Sequence, residues 1–189
     1  MIVLLNGPPG AGKDTAATII RNLLPETKDY KISKPLKEGI ITIFGLPRTF
    51  LSTLEEDKDL PSTVLNGMTY REVQIRLFKD FIEPCFGSEA MGEFAIRGIM
   101  NIPAKHVTVS DAGISKELIP ILNHFGRDKV ALLEIDRPGK TFIGDIRQWI
   151  DEDIPFIYKE KINNQFDEDM FAIQIKKVLD KWNLLPKDG

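Results

Sequence analysis

Lys13 is the residue on which chemistry is most readily built. It closes the run Gly7-Pro8-Pro9-Gly10-Ala11-Gly12-Lys13 and is followed by Asp14 and Thr15. An apolar run, Ile2–Leu5, precedes it and a good helix-forming stretch follows. Strand, glycine-rich turn and helix in that order form the context of a phosphate-binding loop of the GxxxxGK[ST] type. Gly7, Gly10, Ala11 and Gly12 would let backbone N–H groups converge on a phosphate. The helix would add its positive N-terminal end. Lys13 would reach the β- and γ-phosphates of ATP as a point charge. One position departs from the motif: Asp14 stands where a magnesium-binding hydroxyl usually lies. Two readings are open. Either Asp14 lies near the metal, or Thr15 supplies the hydroxyl one position later. The bland alternative is a tight β–α turn, and the agreement of strand, glycines, lysine and helix weighs against it.

Asp111 is the second signal. It ends the stretch His106-Val-Thr-Val-Ser-Asp. In open α/β sheets ligands lie beyond the carboxyl ends of strands. A carboxylate there can hold Mg²⁺ directly or through water. The competing reading is a helix N-cap. Ser33, Lys34 and Lys37 follow the second expected strand and could receive the phosphate of an acceptor; the alternative is exposed lysines near a turn. Arg71, Arg76 and Arg97 are of the type suited to bidentate phosphate recognition, with at least one expected to bind substrate. Arg137 and Arg147 flank a polar segment. Arg147 is the candidate for a cation that arrives when a lid closes. Arg137 could lie against the adenine ring. Surface charge is the plain alternative for both.

Other reactive side chains offer less. His106 and His124 lack a third ligand at metal spacing, so zinc is not expected. Cys85 is read as buried, and Trp149 and Trp182 as packing residues.

These residues need elements to hold them. Helices are expected over Lys13–Leu24, from about Ser33 to Phe44, from Tyr70 to Pro84, over Ser88–Met100, Ser115–Phe125, and from Asp167 or Glu168 onward. Thr69 can cap the third of these, with Glu72 as capping-box partner. Strands are expected near Tyr30–Ile32, Lys105–Ser110, Val130–Ile135 and Ile154–Tyr158. Val130–Ile135 is almost continuously apolar, as in a strand buried on both faces. Strands alternating with helices imply a parallel α/β sheet with right-handed crossovers. Gly45–Thr69 reads as a long excursion of the kind that forms lids or binding loops.

The 189 residues are read as one domain, 42% hydrophobic and 28% charged, which argues against disorder. A net charge of −3 gives no basic footprint for duplex nucleic acid. No apolar run reaches transmembrane length, and the N-terminal run is read as a strand rather than a signal peptide. The single cysteine excludes an internal disulfide. A cytoplasmic protein with a small-molecule partner, no nucleic acid and no membrane is the default. Oligomeric state is open, a homodimer included.

With GPPGAGKDT, VSDAG and EIDRPGKTF assembled, the chain resembles the P-loop nucleoside monophosphate kinases, and most of all the deoxynucleoside monophosphate kinases of bacteriophages. GKDT, Arg137-Pro138-Gly139, YKISKPLKEGI and the helix start REVQIRL (Arg71–Leu77) carry the likeness. It implies a three-layer P-loop NTPase fold with a five-stranded parallel sheet, an inserted substrate-binding region over about 33–100 and a short mobile lid over about 137–153. It also implies transfer of the ATP γ-phosphate to a (deoxy)nucleoside 5′-monophosphate with Mg²⁺. Lys13 would hold the phosphates, with Asp14 and Thr15 near the metal. There are two departures. Many relatives carry an arginine just after the aspartate of the third strand, where this chain has Ala112. The lid segment holds only Arg147. A dephospho-coenzyme A kinase-like enzyme and an inert nucleotide-binding module are the alternatives.

Overall fold

Two apolar runs, one near each end of the first 140 residues, set the middle of the sheet. The computed structural model, which describes residues 1–165 and 167–186, opens with β1 (Ile2–Asn6), α1 (Lys13–Leu23) and β2 (Thr27–Tyr30). Then come α2 (Lys34–Ile43), α3 (Phe50–Glu56), α4 (Tyr70–Arg76), α5 (Glu83–Phe86) and α6 (Ala90–Met100). The rest is β3 (His106–Val109), α7 (Ser115–Phe125), β4 (Val130–Asp136), β5 (Tyr158–Asn163) and α8 (Glu168–Lys181).

The five strands are all parallel, in the order β2-β3-β1-β4-β5. Leu4 of β1 lies opposite Val109 of β3 and Leu132 of β4. β1 and β4 are covered on both faces, which is why their apolar runs do not alternate with polar residues. Val3, Leu5, Ala131, Leu133 and Ile135 pack with α1 and α8 through Ala16, Ile20, Phe171, Ile175 and Leu179. Leu4 and Leu132 point the other way by strand alternation. α7 lies against β4, with Leu118 and Ile121 fully buried. The architecture is a three-layer α/β fold with a five-stranded parallel sheet. Because every strand runs the same way, all the carboxyl ends meet at one edge, where the glycine-rich loop leaves β1.

The central elements fall where the sequence places them, and the edge strands do not. β2 is Thr27–Tyr30 rather than Tyr30–Ile32. Glu26, with φ of 60°, makes the turn that starts it early. β5 is Tyr158–Asn163 rather than Ile154–Tyr158. The apolar residues before it turn instead, with Phe156 N–H donating to Ile154 O. Both true strands are rich in Lys, Glu and Asp, as edge strands often are, and so show no apolar run. Pro84 does not end a helix at its own position. The helix of α4 widens into a π-helical stretch over Leu77–Ile82, and Pro84 sits in the first turn of α5, where its missing N–H is not needed.

The chain divides into two compact units. One is Met1–Ile32 together with the described residues from Gly92 onward; the other is Ser33–Met91. The second unit is built on Ile40, Ile41, Leu54, Leu65, Tyr70 and Val73. Thr69 caps α4 through a full capping box: its side chain accepts from Glu72 N–H at 3.1 Å, and its own N–H donates to the Glu72 carboxylate at 2.8 Å. In the first unit, α6 approaches its neighbours closely at two glycines. A Cβ at Gly92 would lie 2.0 Å from Glu117 O, and one at Gly98 would strike the Tyr30 ring. Among the described residues no helix is long and apolar enough to cross a membrane.

Candidate active site

The loop between β1 and α1 owes its shape to its glycines. Gly10 (φ +75°) and Gly12 (φ +103°) hold left-handed backbone, which other residues rarely adopt. Space enforces the same choice at Gly12, where a Cβ would sit 2.6 Å from Asn164 Nδ2. Asn164 is buried just past β5. Its side chain donates to Ala11 O at 2.9 Å, and its N–H donates to Asp136 O at 2.7 Å. It thus pins the loop to the far side of the sheet. Lys13 opens α1 at only 8% exposure, and its ammonium donates to Gly7 O at 2.6 Å and Pro8 O at 2.8 Å.

Asp14 and Thr15 follow in the first turn. The exposed Asp14 carboxylate accepts from Lys31 Nζ at 3.0 Å and Ser110 Oγ at 3.1 Å. Burial works against its ionisation, but Lys31 and Ser110 outweigh that and hold Asp14 below its ordinary range. Asp111 follows Ser110. It is not the N-cap of α7, whose cap position is Ile114. Asp111 Oδ1 instead accepts from Ile32 N–H at 2.8 Å and so ties the end of β2 to the end of β3.

Arg147 reaches this edge from the segment between β4 and β5. That segment is fastened to the turn after β3. Gln148 N–H donates to Gly113 O at 2.9 Å, Asp151 N–H to Ser115 Oγ at 3.0 Å, and buried Asn6 Nδ2 to Gln148 O at 3.0 Å and Ala112 O at 2.9 Å. The Arg147 guanidinium makes a fork on Asp145, with Nε to Oδ1 at 2.8 Å and Nη2 to Oδ2 at 2.5 Å. Trp149 closes the same segment, edge-on to Phe142 at 5.3 Å, with Lys161 Nζ 3.9 Å from its ring centre.

The charges form one cluster. Burial lowers Lys13 to about 8, repulsion from Arg147 adds to this, and Asp14, Asp145 and Asp111 partly offset it. Arg147 itself is held above its ordinary value by its hydrogen bond to Asp145. Glu117, buried in the first turn of α7, is pushed up to about 8 by burial first and Asp111 second, against Arg147. Two cations therefore share a site with carboxylates that restrain them. This is the arrangement in which an added polyphosphate gains most.

Arg137 lies at the outer side of the loop, where its guanidinium donates to Gly10 O at 3.3 Å. Lys140 lies there too: a Cβ at Gly10 would meet its Cε at 3.2 Å. Of the expected site residues, the sheet edge gathers Gly7, Gly10, Ala11, Gly12, Lys13, Asp14, Thr15, Asp111, Arg137 and Arg147. Asn6, Lys31, Ser110, Gly113, Glu117, Lys140, Asp145 and Asn164 join them without having been foreseen. Only Asn6 carried a local signal, as a polar residue ending an apolar strand at the lip of the loop. The remaining candidates belong to the second unit. There Lys37 pairs with Glu55 at 2.5 Å and Arg71 with Asp59 at 2.5 Å, while Lys34 and Arg76 are exposed and Ser33 is half-buried.

The loop fits a nucleoside triphosphate on its own geometry: left-handed glycines, a helix N-terminus and a buried lysine beside a second cation. Asp14, Thr15, Ser110 and Asp111 are hard oxygen donors of the kind magnesium takes. Among the described residues no three His, Cys, Asp or Glu side chains group to hold an ion unaided. Magnesium sites of this class complete their shell with phosphate oxygens and water.

No protein-family profile matches the chain, and no curated protein matches it. Among solved structures it is similar to an unliganded sugar kinase from Janibacter sp. HTCC2649. The identity is 12%, the TM-score 0.47, and 98% of each chain is covered. A likeness at that level carries no argument about activity.

Proposed function

We propose that this protein transfers the γ-phosphate of ATP to a (deoxy)nucleoside 5′-monophosphate. The observation that carries the reading is the glycine loop at the carboxyl edge of the sheet, where Gly10 and Gly12 hold left-handed backbone and the buried Lys13 donates to Gly7 O and Pro8 O. Phosphoryl transfer asks little covalent chemistry of a protein and much positioning and charge stabilisation. In this reading Lys13 and the loop N–H groups of Gly10–Gly12 grip the β- and γ-phosphates. Arg147 faces the transferring group, and Arg137 lies on the nucleoside side. Asp14, Thr15 and Asp111 would hold Mg²⁺, which when bound neutralises charge on the phosphates. Ser33, Lys34, Lys37, Arg71 and Arg76 are proposed for the acceptor, on the resemblance of YKISKPLKEGI and REVQIRL to the substrate side of nucleoside monophosphate kinases.

The test is ADP production from Mg-ATP with a panel of deoxynucleoside and ribonucleoside monophosphates and dephospho-coenzyme A. Turnover with one or more nucleotides is expected. Turnover with dephospho-coenzyme A alone would move the protein to another kinase class. ATP binding without turnover on any acceptor would leave a nucleotide-binding module.

A further inference from the structure

We infer that Gly113 is a positioning residue: its missing side chain lets Arg147 lie across the turn between β3 and α7, which holds the guanidinium in its fork on Asp145. A Cβ built on Gly113 would sit 2.6 Å from Arg147 Cβ, 2.6 Å from its Cγ and 2.9 Å from its Cδ. All three distances are below what real side chains show, so any residue but glycine displaces the arginine stem. The backbone makes no such demand. Gly113 lies outside the left-handed region that favours glycine, so alanine there is free of backbone strain. What glycine supplies is room.

The stem cannot move aside cheaply. Gln148 N–H is bonded to Gly113 O itself, and Asn6 and Ser115 fasten the residues on either side of that contact. Arg147 N–H and Nε both donate to Asp145 Oδ1, at 2.9 and 2.8 Å, which fixes the stem from its other end. The cation expected from the sequence to arrive with a closing lid is thus already docked.

The kinetic part of the test rests on the phosphotransfer reading; the spectroscopic part does not. Gly113→Ala, Arg147→Met and the double variant are compared with the parent protein. In Gly113→Ala, turnover is expected to fall about a hundredfold, the loss that follows from misplacing a reacting group by an ångström, while KM for ATP stays within about threefold. The double variant should be no slower than Arg147→Met alone. In protein carrying ¹⁵N-arginine, the Arg147 Nε–H, which donates to Asp145 Oδ1 in the parent, should exchange with solvent faster in Gly113→Ala. Arg147→Ala placed in the Gly113→Ala background should recover the melting temperature that the added methyl removes, because the space is returned. An Arg147 Nε–H that exchanges no faster in Gly113→Ala would overturn the inference, as would a turnover loss that adds in full to that of Arg147→Met. So would a melting loss that shortening Arg147 fails to recover. If the parent turns over no acceptor, the phosphotransfer reading falls, and the Arg147 Nε–H exchange with the melting recovery decides the role of Gly113 alone.

Discussion

The loop Gly7–Lys13 and the segment Ser33–Met91 carry cations of the same kinds and treat them differently. Lys13 is buried, donates its hydrogen bonds to backbone carbonyls and is repelled by Arg147. Lys37 and Arg71 are neutralised by carboxylates of their own unit, Glu55 and Asp59. A cation kept under strain is held ready for an anion, whereas a cation in an ion pair must first exchange partners. The donor-side reading of the first region is therefore the sharper of the two.

Removing the strained cation should have the largest effect. Lys13→Ala is expected to cut phosphotransfer by about a thousandfold or more, measured as ADP release, and retained activity would break the contrast at its strongest point. The strain itself can be measured through pH. The native Lys13 value of about 8 lies below the ordinary 10.5. Below pH 8 the lysine is protonated in both folded and unfolded chains, and the cost of holding it is present in full. Between 8 and 10.5 the folded chain sheds its proton first, so that cost is relieved as pH rises. Lys13→Met should thus be more stable than the parent by about 3 kcal/mol at pH 7, with the gap closing towards pH 10.5 in urea melts.

Glu117 runs in the opposite direction. Its native carboxyl titrates at about 8, above the ordinary 4.5. Between those values the folded chain holds a proton that the unfolded chain has lost, so stability falls as pH rises from 4.5 to 8. Glu117→Gln should match the parent at pH 4.5 and exceed it by about 4 kcal/mol at pH 8. In the second region the effects are smaller. Arg71→Ala or Arg76→Ala should raise the acceptor KM by about tenfold and leave the ATP KM unchanged, since each removes at most one charge-assisted contact. Equal effects on both substrates would erase the division of labour. Tyr70 is fully buried, and its hydroxyl lacks a hydrogen-bond partner among the described residues. Tyr70→Phe should stabilise the protein by about 1 kcal/mol. A loss of stability would show that the hydroxyl is bonded in solution.

What could be read from the chain followed the range of the forces involved. The shape of the glycine loop was legible because strand, glycines, lysine and helix are contiguous and each acts on its neighbours. α7 was placed at both ends because its apolar stripe is local and Gly126 closes it. The edge strands were misplaced because Thr27–Tyr30 and Tyr158–Asn163 are set by pairing with β3 and β4, not by their own hydropathy. Asn164 was invisible for a related reason: it supports Ala11 across 153 positions, and a lone asparagine after a polar strand announces nothing. Gly113 carries no signal of its own in the sequence, and only the arginine stem lying over it gives the missing side chain a purpose.

The aromatic closure of the Lys140–Asp153 segment has a practical consequence. The chain has two tryptophans. Trp182 is sealed in the core beside α8, whereas Trp149 stands between the Phe142 edge and the Lys161 ammonium. An indole's emission responds to a charge held over its ring. Trp182→Phe would leave Trp149 as the sole emitter, an optical gauge already wired to the strap that carries Arg147. Any nucleotide that tightens or loosens the strap would then report itself in the colour of the light, without a label and before any product forms.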